Sequence, residues 1–199
     1  MALDSSNQTF MRKPLHTIAD IRTGHTFRGR IEEDSSGDFP VVQIKDLKDR
    51  TRITSDQLPR ITWQSDREPT PAVADDILLP TRGEHYNAVI LQGSEPTIVT
   101  GQLYVLKTKT TQMTPEFLAW YLNQKTAQHY FLSHRSGTGI PMLNKQTLGL
   151  LKIPAPLLET QQKIVAMHEL WEQERQLTEQ LLNNREIMLN GIFQHLLEQ

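Results

Sequence analysis

For 157 residues the apolar positions fall in short bursts; after that they form one long periodic row. Leu15, Ile18 and Ala19 have helical spacing, which predicts a short helix ending at a Thr23-Gly24 turn. Residues 22–30 then read as a loop rich in glycine, hydroxyls and arginine, and residues 32–38 as an acidic connection. Val41-Val42-Gln43-Ile44 predicts a strand, and further strands are expected at 77–79, 88–91, 97–99, 103–106 and 151–153. Each is short, aliphatic or β-branched, and bounded by Gly, Pro, Asp or Asn. Thr114-Pro115-Glu116 is a helix start: a threonine cap, a first-turn proline and an acidic residue for the dipole. One helix is expected to carry Phe117, Leu118, Tyr121, Leu122, Phe131 and Leu132 and to stop before Ser136-Gly137-Thr138-Gly139. Residues 1–157 are therefore expected to form a mixed α/β (α+β) globule.

Beyond the stiff Pro154-Ala155-Pro156 hinge, nothing breaks a helix until Gly191. Thr160 is the expected N-cap. Ile164, His168, Trp171, Arg175, Thr178, Leu182, Arg185, Leu189, Ile192 and Leu196 step by alternating four and three. That 3.5-residue seam is the period of a left-handed coiled coil. Leu170, Leu177, Leu181 and Met188 widen the apolar face. Residues 158–199 are thus expected to form one long helix lying against a partner helix. Arg175, Thr178 and Arg185 interrupt the seam, and polar seam residues of this kind specify a partner or a register. The competing reading is an ordinary surface helix packed on its own domain.

Composition narrows the function classes. The 199 residues contain no cysteine, which removes disulfides, thiolate metal sites and a cysteine nucleophile and fits a reducing, cytoplasmic setting. Residues 1–13 are polar, so no signal peptide is expected, and no apolar run is long enough to span a bilayer. The net charge of −2 is unevenly spread: residues 158–199 carry three Lys/Arg and seven Asp/Glu, against 18 and 16 before them. The globule is close to neutral, so any DNA contact must come from local clusters rather than a global field.

Signatures of catalysis are scarce. The chain has no GxGxxG, P-loop, HExxH or GxSxG. His129 and His134 are five apart and do not share a helix face as metal ligands. Asp75-Asp76, before an apolar run, reads as a turn. Asp38 ahead of Gln43-Ile44-Lys45 is a faint match to the acidic-x-Lys strand of Mg²⁺-dependent nucleases, and that reading is kept as an alternative. No cofactor is expected.

Three clusters suit nucleic acid. The 22–30 loop holds Arg22, Thr23, His25, Arg28 and Arg30. Arg82, His85, Tyr86 and Asn87 lie on a loop between two strands, and Arg135, Ser136 and Thr138 lie in a glycine-rich turn. Lys45 and Lys145 complete the DNA-binding candidates. Arginine grips guanine bidentately, asparagine pairs with adenine, and hydroxyls and free amides position phosphates.

In their order along the chain these segments resemble the specificity subunits of type I restriction-modification systems. Leu15-His16-Thr17-Ile18-Ala19-Asp20-Ile21-Arg22-Thr23-Gly24 is similar to the opening of a target-recognition domain. Val41 to Leu47, then Asp75-Asp76-Ile77-Leu78-Leu79 with Arg82-Gly83, are similar to its middle. Pro115-Glu116-Phe117-Leu118-Ala119-Trp120-Tyr121-Leu122 is similar to its late helix. The passage from Ser136-Gly137-Thr138-Gly139-Ile140-Pro141 through Pro154-Ala155-Pro156 to Gln161-Gln162-Lys163-Ile164-Val165 is similar to the entry into the conserved spacer helix. The resemblance implies a non-catalytic DNA reader that works with an adenine methyltransferase subunit and a restriction subunit. The family usually carries two recognition domains and two spacer helices, whereas this sequence has one of each. It is therefore expected to act as a half-subunit that homodimerises through antiparallel helices on a split palindromic site. An alternative is an adaptor of the same fold that competes for the methyltransferase without reading DNA.

Overall fold

The computed structural model describes residues 10–65, 67–137 and 140–198. Strand β1 (Arg12–Pro14) pairs antiparallel with β10 (Lys152–Pro154), so the described start of the globule is fastened to its end. Helix α1 (Leu15–Ile18) is one turn, and β2 (Ala19–Thr23) follows directly. The sequence led us to expect the helix to run on to a turn at Thr23-Gly24. Ala19 and Ile21 are buried with exposed Asp20 between them, and all five β2 residues pair with β9 (Leu103–Thr108). That two-residue alternation, not the helical spacing, is the one the ladder selects.

Strands β3 (Phe39–Val42), β4 (Arg52–Thr54), β5 (Arg60–Ile61), β6 (Ile77–Pro80), β7 (Val89–Gln92) and β8 (Ile98–Val99) complete two further sheets. One has the order β2-β9-β6-β7-β4 and the other β5-β3-β8. Ile77, Leu78 and Leu79 are fully buried, as expected of a central strand covered on both faces. Val42, Leu78, Val89, Leu91, Leu103 and Val105 share one core cluster that joins the two sheets. The strand expected to run through Ile44 stops at Val42. The Asp46 carboxylate accepts from the Gln43 N–H at 2.8 Å and winds Ile44–Leu47 into a 3₁₀ turn.

Helix α2 (Pro115–Leu122) starts as expected: Thr114 Oγ1 accepts from the Phe117 N–H at 3.2 Å, with Pro115 in the first turn. The single helix expected from there is two. Asn123 turns its side chain onto Ala88, accepting from its N–H at 2.8 Å and donating to its carbonyl at 2.9 Å. Gln124 is extended, and α3 (Lys125–His134) begins after it. Helix α4 (Lys145–Leu150), which the sequence reading missed, is capped by Asn144 Oδ1 accepting from the Thr147 N–H at 2.7 Å.

The chain divides into two compact units, Met1–Gln161 and Gln162–Gln199. Helix α5 (Leu158–Leu197) is continuous across that boundary and starts two residues before Thr160, which is therefore inside the helix and not its cap. At 1.5 Å per residue its 40 residues extend about 60 Å. Among the described residues no helix is long and apolar enough to cross a membrane.

Gly24 marks where β2 meets the end of β8. A Cβ there would collide with the backbone oxygens of Val99 and Thr100. Gly24→Ala is expected to cost on the order of 3 kcal/mol, read as a lowered urea midpoint, because neither neighbour is a movable side chain.

Candidate nucleic-acid interface

The first candidate loop leaves β2 under tight backbone control. The Gly24 N–H donates to Leu103 O at 2.9 Å, His25 N–H to Val99 O at 2.6 Å, and Gly101 N–H to His25 O at 2.7 Å. The His25 ring then lies 4.6 Å from Trp63 and 4.9 Å from Phe27, edge-on to the latter. Trp63 is itself held: its backbone N–H donates to Asp38 Oδ2 and its indole to Arg67 O, both at 2.9 Å. Phe27, Ile31, Phe39 and Trp63 pack on buried Val41, Ile61 and Ile98. This apolar anchor leaves Arg28 and Arg30 exposed at the loop's tip.

The second and third clusters are joined through Met142. It pairs with Arg82 on one side and with Ser136 on the other, exchanging two 2.9 Å hydrogen bonds with Ser136. Leu143 N–H donates to Thr81 O at 2.9 Å, and the Arg135 guanidinium donates to Gly83 O at 3.2 Å. Gly83 and Gly137 sit at φ of 112° and 121°, the conformation glycine adopts without strain. The outcome is one open depression of about 430 Å³. Its lining brings together His25, Thr26, Gly29 and Arg30, Thr81 and Arg82, Gln43, Gln102 and Met142. Five stretches of the chain, from the 25–31 loop to Met142, thus contribute to one surface.

The predicted residues divide into groups. His25, Arg30 and Arg82 line the depression, and Arg135 and Ser136 adjoin it through the Met142 and Gly83 links. Thr23, Arg28, His85 and Lys145 are exposed. Lys45 is exposed on the 3₁₀ turn, 3.7 Å from Glu33. Thr138 lies outside the described residues. One expectation needs correcting, and two further candidates have partners within the globule. Tyr86 is fully buried against Phe131, with ring centroids 5.6 Å apart, and has no surface to offer a base. The Asn87 amide nitrogen donates to Leu47 O at 3.1 Å and Arg50 O at 2.5 Å and so stitches a loop. The Arg22 guanidinium donates to Pro71 O at 2.7 Å and is half-buried. Burial lowers its pKa and Asp76 raises it, while burial pushes the Asp76 carboxyl up against the Val73 N–H and Arg22.

Gln102 and Met142 went unnoticed in the sequence; only the pairing of distant backbone segments places them. The nuclease geometry is also corrected. Lys45 is on a 3₁₀ turn rather than a strand, and the Asp38 carboxylate accepts from the Trp63 N–H.

The Tyr86 hydroxyl is buried without a hydrogen-bond partner, an arrangement that costs about 1–3 kcal/mol. Tyr86→Phe is therefore expected to raise the melting temperature slightly and leave DNA binding unchanged. A loss of binding by the folded variant would show that the hydroxyl faces the ligand after all.

On α5, every described side chain after Gln161 is half-buried or exposed. Trp171, Leu182, Leu189, Ile192 and Leu196 are 55, 55, 45, 46 and 61% exposed, so the seam is unpartnered in the single chain. Two of its polar interruptions are satisfied along the helix itself. Arg175 bonds Glu172 and Glu179, both at 2.7 Å, and lies 6.0 Å from the Trp171 ring. Thr178 Oγ1 donates to Glu174 O at 2.8 Å. Ile164 and His168 are half-buried, and Arg185 is exposed.

A loop-built polar depression and a helix with an unpartnered apolar row define a binding module. The chain belongs to the type I restriction-modification DNA specificity domain family, whose profile matches residues 7–184. The subunits of this family recognise DNA and are not themselves catalytic. Solved structures share the fold. The HsdS subunit from Thermoanaerobacter tengcongensis is 21% identical, with a TM-score of 0.60 over 87% of this chain and 39% of that one. A chain from a structure of type I R-M complex assembly and conformational transition is 19% identical, also at 0.60, over 87% and 40%. The S subunit from M. genitalium is 11% identical at 0.55, over 86% and 41%. The chain thus spans about two-fifths of the length of these relatives. No curated protein sequence matches it.

Proposed function

We propose that this chain reads DNA sequence for a type I restriction-modification system, working as two copies joined through antiparallel α5 helices on an inverted, split site. The observation that carries the first part is the convergence of His25, Arg30 and Arg82 on one open depression, with Arg135 and Ser136 adjoining. Guanidinium groups and an imidazole on backbone-pinned loops are suited to base edges, and the flanking exposed Arg28 and Lys145 to phosphates. Arg22, Tyr86 and Asn87 do not line this depression. Family membership supplies the ligand class.

The helix supports the second part. If Trp171 faces Leu189 of a second copy, the antiparallel geometry also sets Thr178 against Leu182 and Ile164 against Leu196. Apolar residues or a self-satisfied hydroxyl then fill those layers, while the same register sets His168 against Ile192 and Arg175, already bonded to Glu172 and Glu179, against Arg185. A twofold pair presents its recognition globules in inverted orientation.

Methyltransferase and restriction subunits complete the proposed assembly. Because the globule is nearly neutral, counterion release contributes little to its own DNA affinity. Adding the methyltransferase subunit is expected to tighten binding to a selected site by at least about tenfold in physiological salt. Fluorescence anisotropy checks this. Nanomolar binding by the isolated protein, unchanged by that subunit, would overturn the shared-affinity arrangement. Capture of the methyltransferase without any sequence preference would favour the adaptor reading.

A further inference from the structure

Met142 is an apolar side chain standing in a polar depression. It is 48% exposed, and of the large apolar side chains exposed among the described residues it alone lines the depression. Phe27 and Ile31, the other large apolar members of the lining, are half-buried against the core. The place of Met142 is fixed from both sides. Its N–H and its carbonyl each make a 2.9 Å hydrogen bond with Ser136, and it bridges to Arg82. The next residue, Leu143, is fully buried; its N–H donates to Thr81 O at 2.9 Å, and its carbonyl accepts from the Tyr104 hydroxyl at 2.8 Å. Successive side chains of paired backbone alternate between faces, so burying Leu143 turns Met142 outward. A lone exposed hydrophobe is ordinary on a protein surface. One pinned by distant segments among Arg30, Arg82 and Gln102 is placed to meet an apolar group of the ligand.

We infer that Met142 is a specificity-determining residue that reads the C5-methyl group of a thymine in the half-site. This rests on the proposed reading of the depression as the surface that faces DNA. His25, Arg30, Gln43, Arg82 and Gln102 offer hydrogen bonds, and base edges in the major groove answer them with donors and acceptors. Thymine alone among the four bases also presents a methyl group there. An unbranched thioether adapts its shape to such a contact and demands no strong hydrogen-bond partner. Arg82 is the bridge partner of Met142, and directly opposed residues have Cβ atoms about 5 Å apart. One base-pair step is about 3.4 Å, so the two side chains address the same pair or adjacent ones. Arg82 supplies hydrogen bonds to that stretch, and Met142 adds the apolar contact that a guanidinium does not make.

The test uses the full chain at about 50 mM salt, where phosphate contacts are strong, and the half-site that the wild type enriches from random DNA. Each thymine of that half-site, on either strand, is replaced in turn by deoxyuridine, which removes the methyl group and keeps the base pairing. Fluorescence anisotropy compares the wild type with Met142→Ala. At one thymine the wild type is expected to bind the uracil duplex about three- to fivefold more weakly, the worth of one buried methyl group. Met142→Ala is expected to bind the thymine and uracil duplexes alike at that position and to keep its preferences elsewhere. Met142→Leu, still apolar, is expected to keep the penalty. A wild type indifferent to every uracil, or a half-site without an A·T pair, overturns the inference. So does a penalty that persists undiminished in Met142→Ala, because a merely structural role lowers affinity for both duplexes equally. Should Met142→Ala fail to fold, Met142→Gln, of similar length but polar, is read in the same way. A wild type that enriches no half-site removes the DNA-reading proposal itself, and the inference with it.

Discussion

Replacing Leu182 with glutamate is expected to leave the globule folded and to turn the protein from a pair into single copies. Leu182 is 55% exposed and lies mid-seam, so its loss costs the isolated chain little. In the proposed pair it would lie between helices. Truncating an apolar contact there forfeits about 1.5–3 kcal/mol. An uncompensated buried carboxylate adds several kcal/mol. Combined, the dissociation constant should rise by roughly 10³-fold or more. Residues 158–199 already carry seven acidic side chains against three basic ones, so the second copy offers little to neutralise another. Sedimentation velocity reads the result directly. A dimer that survives Leu182→Glu would mean the copies meet elsewhere, or that the helix face is covered by a different partner. The variant should also lose the inverted symmetry of its selected DNA while keeping half-site preference.

Arg82→Ala is the second large effect. Arg82 is half-buried, and its backbone is pinned through Met142, while Thr81 before it bonds Gln102 O at 2.9 Å. Such a side chain can approach a base edge with little entropy left to lose. A bidentate arginine-guanine contact discriminates by about 1–3 kcal/mol. The variant is expected to lose about 5- to 150-fold in specific affinity and to relax preference at one base position. Arg28→Ala, at the exposed loop tip, should instead weaken all sequences alike and reduce the salt slope by about one. Equal behaviour of the two variants would show that Arg82 touches phosphate.

The strands at 77–80, 89–92 and 103–108 were legible because short aliphatic runs between breakers have few other uses. What stayed hidden was decided by distant hydrogen bonds. Ala19 to Thr23 became a strand because β9 lies beside it, and the α2–α3 break exists because Asn123 reaches back to Ala88. The site shows the same division. Three loops stood out by composition, yet the second and third are joined by Met142, an apolar residue with no polar signature. Conversely Arg22, Tyr86 and Asn87 looked like base readers because loop polarity does not reveal whether a side chain faces water or a buried carbonyl. Gln161 is the sharpest case. In sequence it is one glutamine of a Gln161-Gln162 pair, and only its burial separates it from its exposed neighbour.

The most direct test of DNA reading by a paired chain is selection from random double-stranded DNA with the full-length protein at low salt, followed by sequencing. The expected result is one short motif present twice, inverted, at a fixed separation. Recovery of no motif, or of a single motif without its inverted copy, would contradict the account.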